Sequence, residues 1–151
     1  MKHKSILLIL LFFILTNCGF EPIHSSIKSN FNIGEIKIVE KNEFNSIIKY
    51  NLKNISNNES QNKFDLIVNS EKKKIISSKD TKGNPELLTI IISVEVQIIK
   101  DNVIKNKKSF SQDFSYSNNS NKFSLAQYEK DIEKNLITKI IENINTYLLS
   151  L

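Results

Sequence analysis

The spacing of apolar side chains divides the chain into segments of different period. From Ile33 to Glu40, Ile36 and Ile38 alternate with Glu35 and Lys37, the period of two expected for a strand with one buried face. From Glu43 to Ile55 the period lengthens. Phe44, Ile47, Ile48, Leu52 and Ile55 share one face of a helix, and Asn42 is placed to cap it. The segment Asn54 to Asn62 is rich in Asn and Ser and ends that helix. Lys63 to Ser77 returns to alternation, with Phe64, Leu66 and Val68 set against Asp65 and Asn69, and Gly83-Asn84-Pro85 marks a turn. Leu87 to Ile99 alternates most clearly. Ile90, Ile92, Val94, Val96 and Ile98 form one face, and Thr89, Ser93, Glu95 and Gln97 the other, with Ile91 and Ile99 as exceptions. Lys100-Asp101-Asn102 reads as a hairpin turn into a strand from Val103 to Ser117, where Phe110, Phe114 and Tyr116 point one way and Ser109, Ser111, Asp113 and Ser115 the other.

The last segment has helical spacing throughout. Leu125, Tyr128, Ile132, Leu136, Ile140, Ile144, Tyr147 and Leu151 form a stripe, with Lys130, Asp131, Lys134, Lys139 and Asn143 off it. Ser124 followed by Gln127 predicts a capping box, and Phe123 with Tyr128 a hydrophobic staple. The elements run β-α-β-β-β-α. The fold expected is α+β, a two-layer sandwich in which two helices cover one face of a four-stranded sheet.

The N-terminus follows different rules. Lys2 and Lys4 precede an unbroken apolar run, Ile6 to Leu15, and Cys18 comes directly after it. The run makes about 15 Å of helix, and a bilayer core takes about 20 residues, so it is too short to span. It fits the apolar part of a secretory signal. Leu15 three places before Cys18 makes the stretch similar to a bacterial lipobox. There the thiol takes a diacylglycerol, the peptide is cut before the cysteine and the new amine is acylated. Asn17 departs from the small residue usual before that cut. Cys18 is the only cysteine, so no internal disulfide is available, and acylation gives its thiol a use. Several acyl chains anchor stably where a single one binds only marginally. The organisation expected is a signal peptide over 1–17, an acylated N-terminus and tether over 18–32, and a domain over 33–151. Within the tether, Phe20, Ile23, Ile27 and Phe31 recur every three or four residues, which favours docking over free extension.

The formal charge of +5 comes entirely from lysine, since the chain has no arginine. No lysine run is long or aromatic-interleaved enough to suggest nucleic acid. Catalytic chemistry has little to work with. His24 is the one histidine left after the signal, and the only glycines are Gly19, Gly34 and Gly83, too few for a phosphate loop. No metal-ligand spacing is present. The chain is not expected to be an enzyme or to carry a cofactor beyond the covalent lipid on Cys18, although a Ser-His pair using His24 stays open. Two lysine groups, Lys72, Lys73 and Lys74 and then Lys105, Lys107 and Lys108, suit either anionic phosphates or a solvated, aggregation-blocking strand edge. In the second group alternation puts Lys105 and Lys107 on one face and Lys108 on the other.

Cys18-Gly19-Phe20-Glu21-Pro22-Ile23 resembles the start of the LptE family, the lipoprotein partners of the lipopolysaccharide-assembly barrel of Gram-negative outer membranes. Alphaproteobacterial members often begin C-G-F-x-P-L-Y; Ile23 and His24 depart from that pattern. Phe114-Ser115-Tyr116 followed by Phe123-Ser124-Leu125-Ala126 is similar to the family's junction of last strand and last helix. The family's element order and length agree with the order read above. The resemblance implies an outer-membrane lipoprotein in the periplasmic leaflet that plugs a β-barrel of LptD type, assists lipopolysaccharide transport and contacts lipid A phosphates through basic residues. A periplasm-facing lipoprotein of the same architecture that binds another ligand or envelope protein fits the same residues.

Overall fold

The structure, a computed structural model, describes residues 29–151. The signal segment, Cys18 and His24 lie outside the described residues. Strand β1 (Asn32–Ile38) is followed by helix α1 (Glu43–Ile55), strands β2 (Lys63–Lys79), β3 (Pro85–Lys100) and β4 (Val103–Ser117), and helix α2 (Lys122–Leu149). The sheet order is β1-β2-β3-β4. Strands β2, β3 and β4 form an antiparallel meander, and β1 lies parallel to β2 on the outer edge. A parallel neighbour needs a crossover, and α1 supplies it. The expected α+β sandwich and its element order are therefore present.

One face of the sheet holds the core. Leu66, Val68, Ile90, Ile92, Val94, Val96 and Ile98 are buried against Ile48 and Leu52 of α1 and Ile132, Leu136, Ile137, Ile140, Ile144 and Leu148 of α2. Fully burying a side chain of this size contributes about 1.5–3 kcal/mol, so this layer outweighs any single polar contact. The stripe on α2 is wider than the one read from spacing, because Ile137, Ile141 and Leu148 join it while Leu151 stays exposed.

Both helix starts are fixed by asparagine. Asn42 accepts from Asn45 N at 2.8 Å and also from the Ser70 hydroxyl at 3.1 Å, so one amide caps α1 and pins it to β2. Helix α2 starts at Lys122, not after Ser124. Asn121 is its cap and accepts from Ser124 N at 3.1 Å. The expected capping box and staple give way for that reason. Phe123 falls inside the first turn and is 83% exposed, while Tyr128 packs edge-on against Tyr116 at 6.0 Å.

Two bulges shift the alternation read from the sequence. In β1, Ile33 pairs with Phe64 and Ile36 with Leu66, so three residues of β1 are matched by two steps of β2 and both isoleucines face the core. Gly34 permits this. A Cβ there would collide with the Asp65 carboxylate, which accepts from Glu35 N at 2.7 Å. In β4, Ile98 pairs with Asn106 but Ile99 with Ile104, which takes Lys105 out of the alternation. The β3–β4 turn is a two-residue hairpin, with Asp101 and Asn102 at φ 56° and 59°, the left-handed pair such turns need.

The last residues of the expected tether are packed. Phe31 is 1% exposed and stacks near Phe64 at 5.4 Å. The Asn/Ser-rich loop after α1 grips them. Asn57 Nδ2 donates to Ser29 O at 3.1 Å and Ser60 Oγ to Asn30 O at 2.6 Å. Asn57 N donates to Phe31 O at 2.9 Å, and Ile33 N donates to Ser56 Oγ at 2.8 Å.

Candidate functional site

The six lysines do not converge on one place. Strand β2 sends Lys72 and Lys74 to the helix side and Lys73 to the open side, because the pleat alternates. Lys72 Nζ meets Glu133 Oε1 at 2.9 Å and lies over the Phe44 ring at 5.7 Å. Lys74 pairs with Glu129, and Lys73 with Glu71 at 3.2 Å. On β4, Lys107 crosses the open face to Glu95 at 2.8 Å. Lys108 stands over Tyr147 at 4.4 Å from the ring centroid. Lys105 makes no ion pair and no ring contact among the described residues.

The partners of Lys72 and Lys74 carried a signal in the sequence. Glu129 and Glu133 are four apart on a helix, about 6 Å of rise. Lys72 and Lys74 are two apart on a strand, about 6.6 Å. Those spacings match, so two parallel bridges join β2 to α2. Tyr116 Oη also donates to Glu129 Oε1, at 2.6 Å. Burial pushes the Glu129 carboxyl up, but hydrogen bonds from Lys74 and Tyr116 outweigh it and hold the group below its ordinary value. Burial first, then the bond to Glu129, raises the Tyr116 phenol.

Above these bridges the helices part. A cleft of about 690 Å³ is lined by Phe44 and Ile47 of α1, Ala126, Lys130 and Ile137 of α2, and Lys72 of β2. It mixes apolar walls with both signs of charge.

The second surface is the sheet face that neither described helix covers. Thr89, Ser93, Glu95 and Gln97 line it on β3, an interior strand as expected. The face is bonded to itself. The hydroxyls of Ser77, Thr89 and Ser115 form a row across β2, β3 and β4, and Ser93 meets Ser111 at 3.0 Å. Glu95 accepts from Lys107 and from Gln97 Nε2 at 2.8 Å, and Lys107 first, then Gln97, holds the carboxyl below its ordinary value. The result is a largely polar, mixed-charge surface interrupted by Ile67, Ile75, Ile91 and Ile99, in which Asn69 Oδ1 is buried without a hydrogen-bond partner.

Among the described residues no group of His, Cys, Asp and Glu is arranged to hold a metal ion. No helix among them is long and apolar enough to cross a membrane.

No protein-family model and no curated protein sequence matches this chain. Solved structures do. The chain is similar to rare lipoprotein B from Shewanella oneidensis, with a TM-score of 0.59 and 12% identity over 78% of this chain and 95% of that one. It is similar to a minor lipoprotein from Acinetobacter baumannii at 0.60 and 13%, over 77% and 89%. Lipoprotein B from Nitrosomonas europaea gives 0.56 and 11%, over 83% and 87%. At such identities the likeness is one of architecture: this chain has a fold that bacterial lipoproteins use.

Proposed function

We propose that the chain is an outer-membrane lipoprotein, acylated at Cys18 and held in the periplasmic leaflet. It assists lipopolysaccharide assembly by binding and plugging the lipopolysaccharide-inserting barrel. The observation that carries this reading is the uncovered sheet face. Along β3 and β4 it is rich in hydroxyl and charged side chains, which suits a lumen that is itself polar and water-lined. The 17 residues of β2 run about 55 Å against a hydrocarbon core of about 30 Å, so the domain is long enough to fill such a barrel. The work is done by shape and binding rather than bond making, and it needs no cofactor. Contact with lipid A phosphates falls to Lys107 and Lys108, on opposite faces of β4.

A photo-crosslinking amino acid at Ser111 on the open face, compared with one at Lys139 on the helix exterior, tests the reading in living cells. Ser111 is expected to join a single large outer-membrane barrel protein and Lys139 not. Native detergent extraction that recovers the protein alone, with no crosslink from Ser111, overturns it.

A second reading is a periplasm-facing lipoprotein that binds a different ligand. The cleft between α1 and α2 favours it, because its charge and apolar walls are not used by the plug.

A further inference from the structure

Both poles of the sheet expose apolar side chains, and they differ in where the chain enters. The starts of β1, β2 and β4, the end of β3 and the ends of both helices gather at one pole. There the hairpin tip presents Val103, 54% exposed, and Ile104, 56% exposed. Val103 pairs with Lys100 and Ile104 with Ile99, and consecutive strand residues face opposite ways, so both sides of the tip are apolar. Leu149 in the last turn of α2 is exposed at the same pole. Lys63, Lys100 and Lys105 surround these residues, set against the carboxylates of Glu59 and Asp101. None of the other described residues buries the tip.

The entry of the chain is at this pole too, and the loop after α1 fixes it there by holding Ser29 and Asn30. From Cys18 to Ser29 the chain reaches at most about 40 Å. The opposite pole, with Ile75, Ile76 and Phe123 exposed, lies a further β2 length away, about 55 Å. A leash that short cannot stand the domain upright on its far pole, because that pose lifts the near pole about 55 Å from the membrane that holds the Cys18 lipid. It brings the near pole within reach of that membrane.

We propose that the near pole is a membrane seat. Val103, Ile104 and Leu149 enter the interfacial layer of the leaflet that holds the anchor, and Lys63, Lys100 and Lys105 meet its anionic headgroups. This rests on acylation of Cys18 and goes beyond the plug reading, since it assigns a lipid-facing surface to the folded domain itself. An apolar tip ringed by lysine is the composition that binds at an interface, where apolar burial and attraction to anionic lipid add.

The chain contains no tryptophan, so single reporters are unambiguous. The full acylated chain carrying Val103→Trp, Ile104→Trp or Phe123→Trp is placed in phosphatidylethanolamine–phosphatidylglycerol vesicles with nitroxide-labelled acyl chains. Emission from positions 103 and 104 is expected to shift to the blue and be quenched, and emission from position 123 to stay as in solution. Replacing phosphatidylglycerol by phosphatidylcholine is expected to weaken the quenching. If the chain floats with the vesicles but position 103 is quenched no more than position 123, the seat is wrong and the lipoprotein reading stands. If the unsubstituted chain does not float, both fall.

Discussion

The Tyr116 hydroxyl donates to Glu129 Oε1 at 2.6 Å, on the same oxygen that Lys74 reaches. Each group shifts the other in the direction that resists titration in the folded state. Glu129 is held below its ordinary value, so it stabilises the fold above the unfolded carboxylate value and that contribution is lost as pH falls through the folded one. Tyr116 is raised, so its contribution is complete below the unfolded value of about 10 and is lost as pH rises through the folded one. Glu129→Gln is expected to flatten the acid limb of a urea-midpoint profile, and Tyr116→Phe the limb above pH 10. Unchanged limbs in both variants show that the bond adds nothing to stability.

The paired bridges from β2 to α2 are expected to prefer their present polarity. Lys72→Glu puts a third carboxylate beside Glu129 and Glu133 and is expected to cost on the order of 1–2 kcal/mol. Lys73→Glu, on the exposed pair of the other face, is expected to cost less than about half of that. Adding Glu133→Lys to Lys72→Glu restores most of the loss. Chemical denaturation of the four proteins checks the order.

Gly34 and Asp65 act as one unit. Gly34→Ala forces the Asp65 carboxylate off Glu35 N and is expected to cost about 1 kcal/mol. In an Asp65→Ala background the same change is expected to cost almost nothing, and a double-mutant cycle reads the difference. Equal cost in both backgrounds places the strain elsewhere.

Asn42→Ala removes the α1 cap and the tie to Ser70 together. The loss expected is about 1–2 kcal/mol, at the upper end for a cap because the second bond is inside the fold. Ser70→Ala alone is expected to give the smaller part. Amide exchange over Glu43–Ile55 should quicken in Asn42→Ala more than in Ser70→Ala.

What could be read from the sequence follows from where one face is buried. On β3, Ile90, Ile92, Val94, Val96 and Ile98 had to lie on one side, so alternation gave the core and the polar residues of the open face, with Ile91 and Ile99 the exceptions on that face. Helix α1 was legible for the same reason, with Asn42 placed at its start. The start of α2 was not, because Asn121 and Ser124 are both good caps three residues apart and only packing chooses between them. The grip of Ser56, Asn57 and Ser60 on the entering chain left no trace either. Short polar side chains bonding to a distant backbone have no period. Lys72, Lys73 and Lys74 read as one charged patch, but the pleat splits them between the two faces. Lys105 parted from Lys107 through a bulge that no local residue announces.

The grip on Ser29 and Asn30 has a mechanical consequence. With the chain anchored at Cys18 as proposed, any tug from the anchor reaches the described domain first at that clasp and then runs lengthwise into β1, along the rungs that join it to β2. Loaded in that direction, the rungs of the ladder are strained together rather than peeled one after another. An edge strand that would be the weakest part of the sheet under a sideways pull becomes a sound place to hang the molecule from.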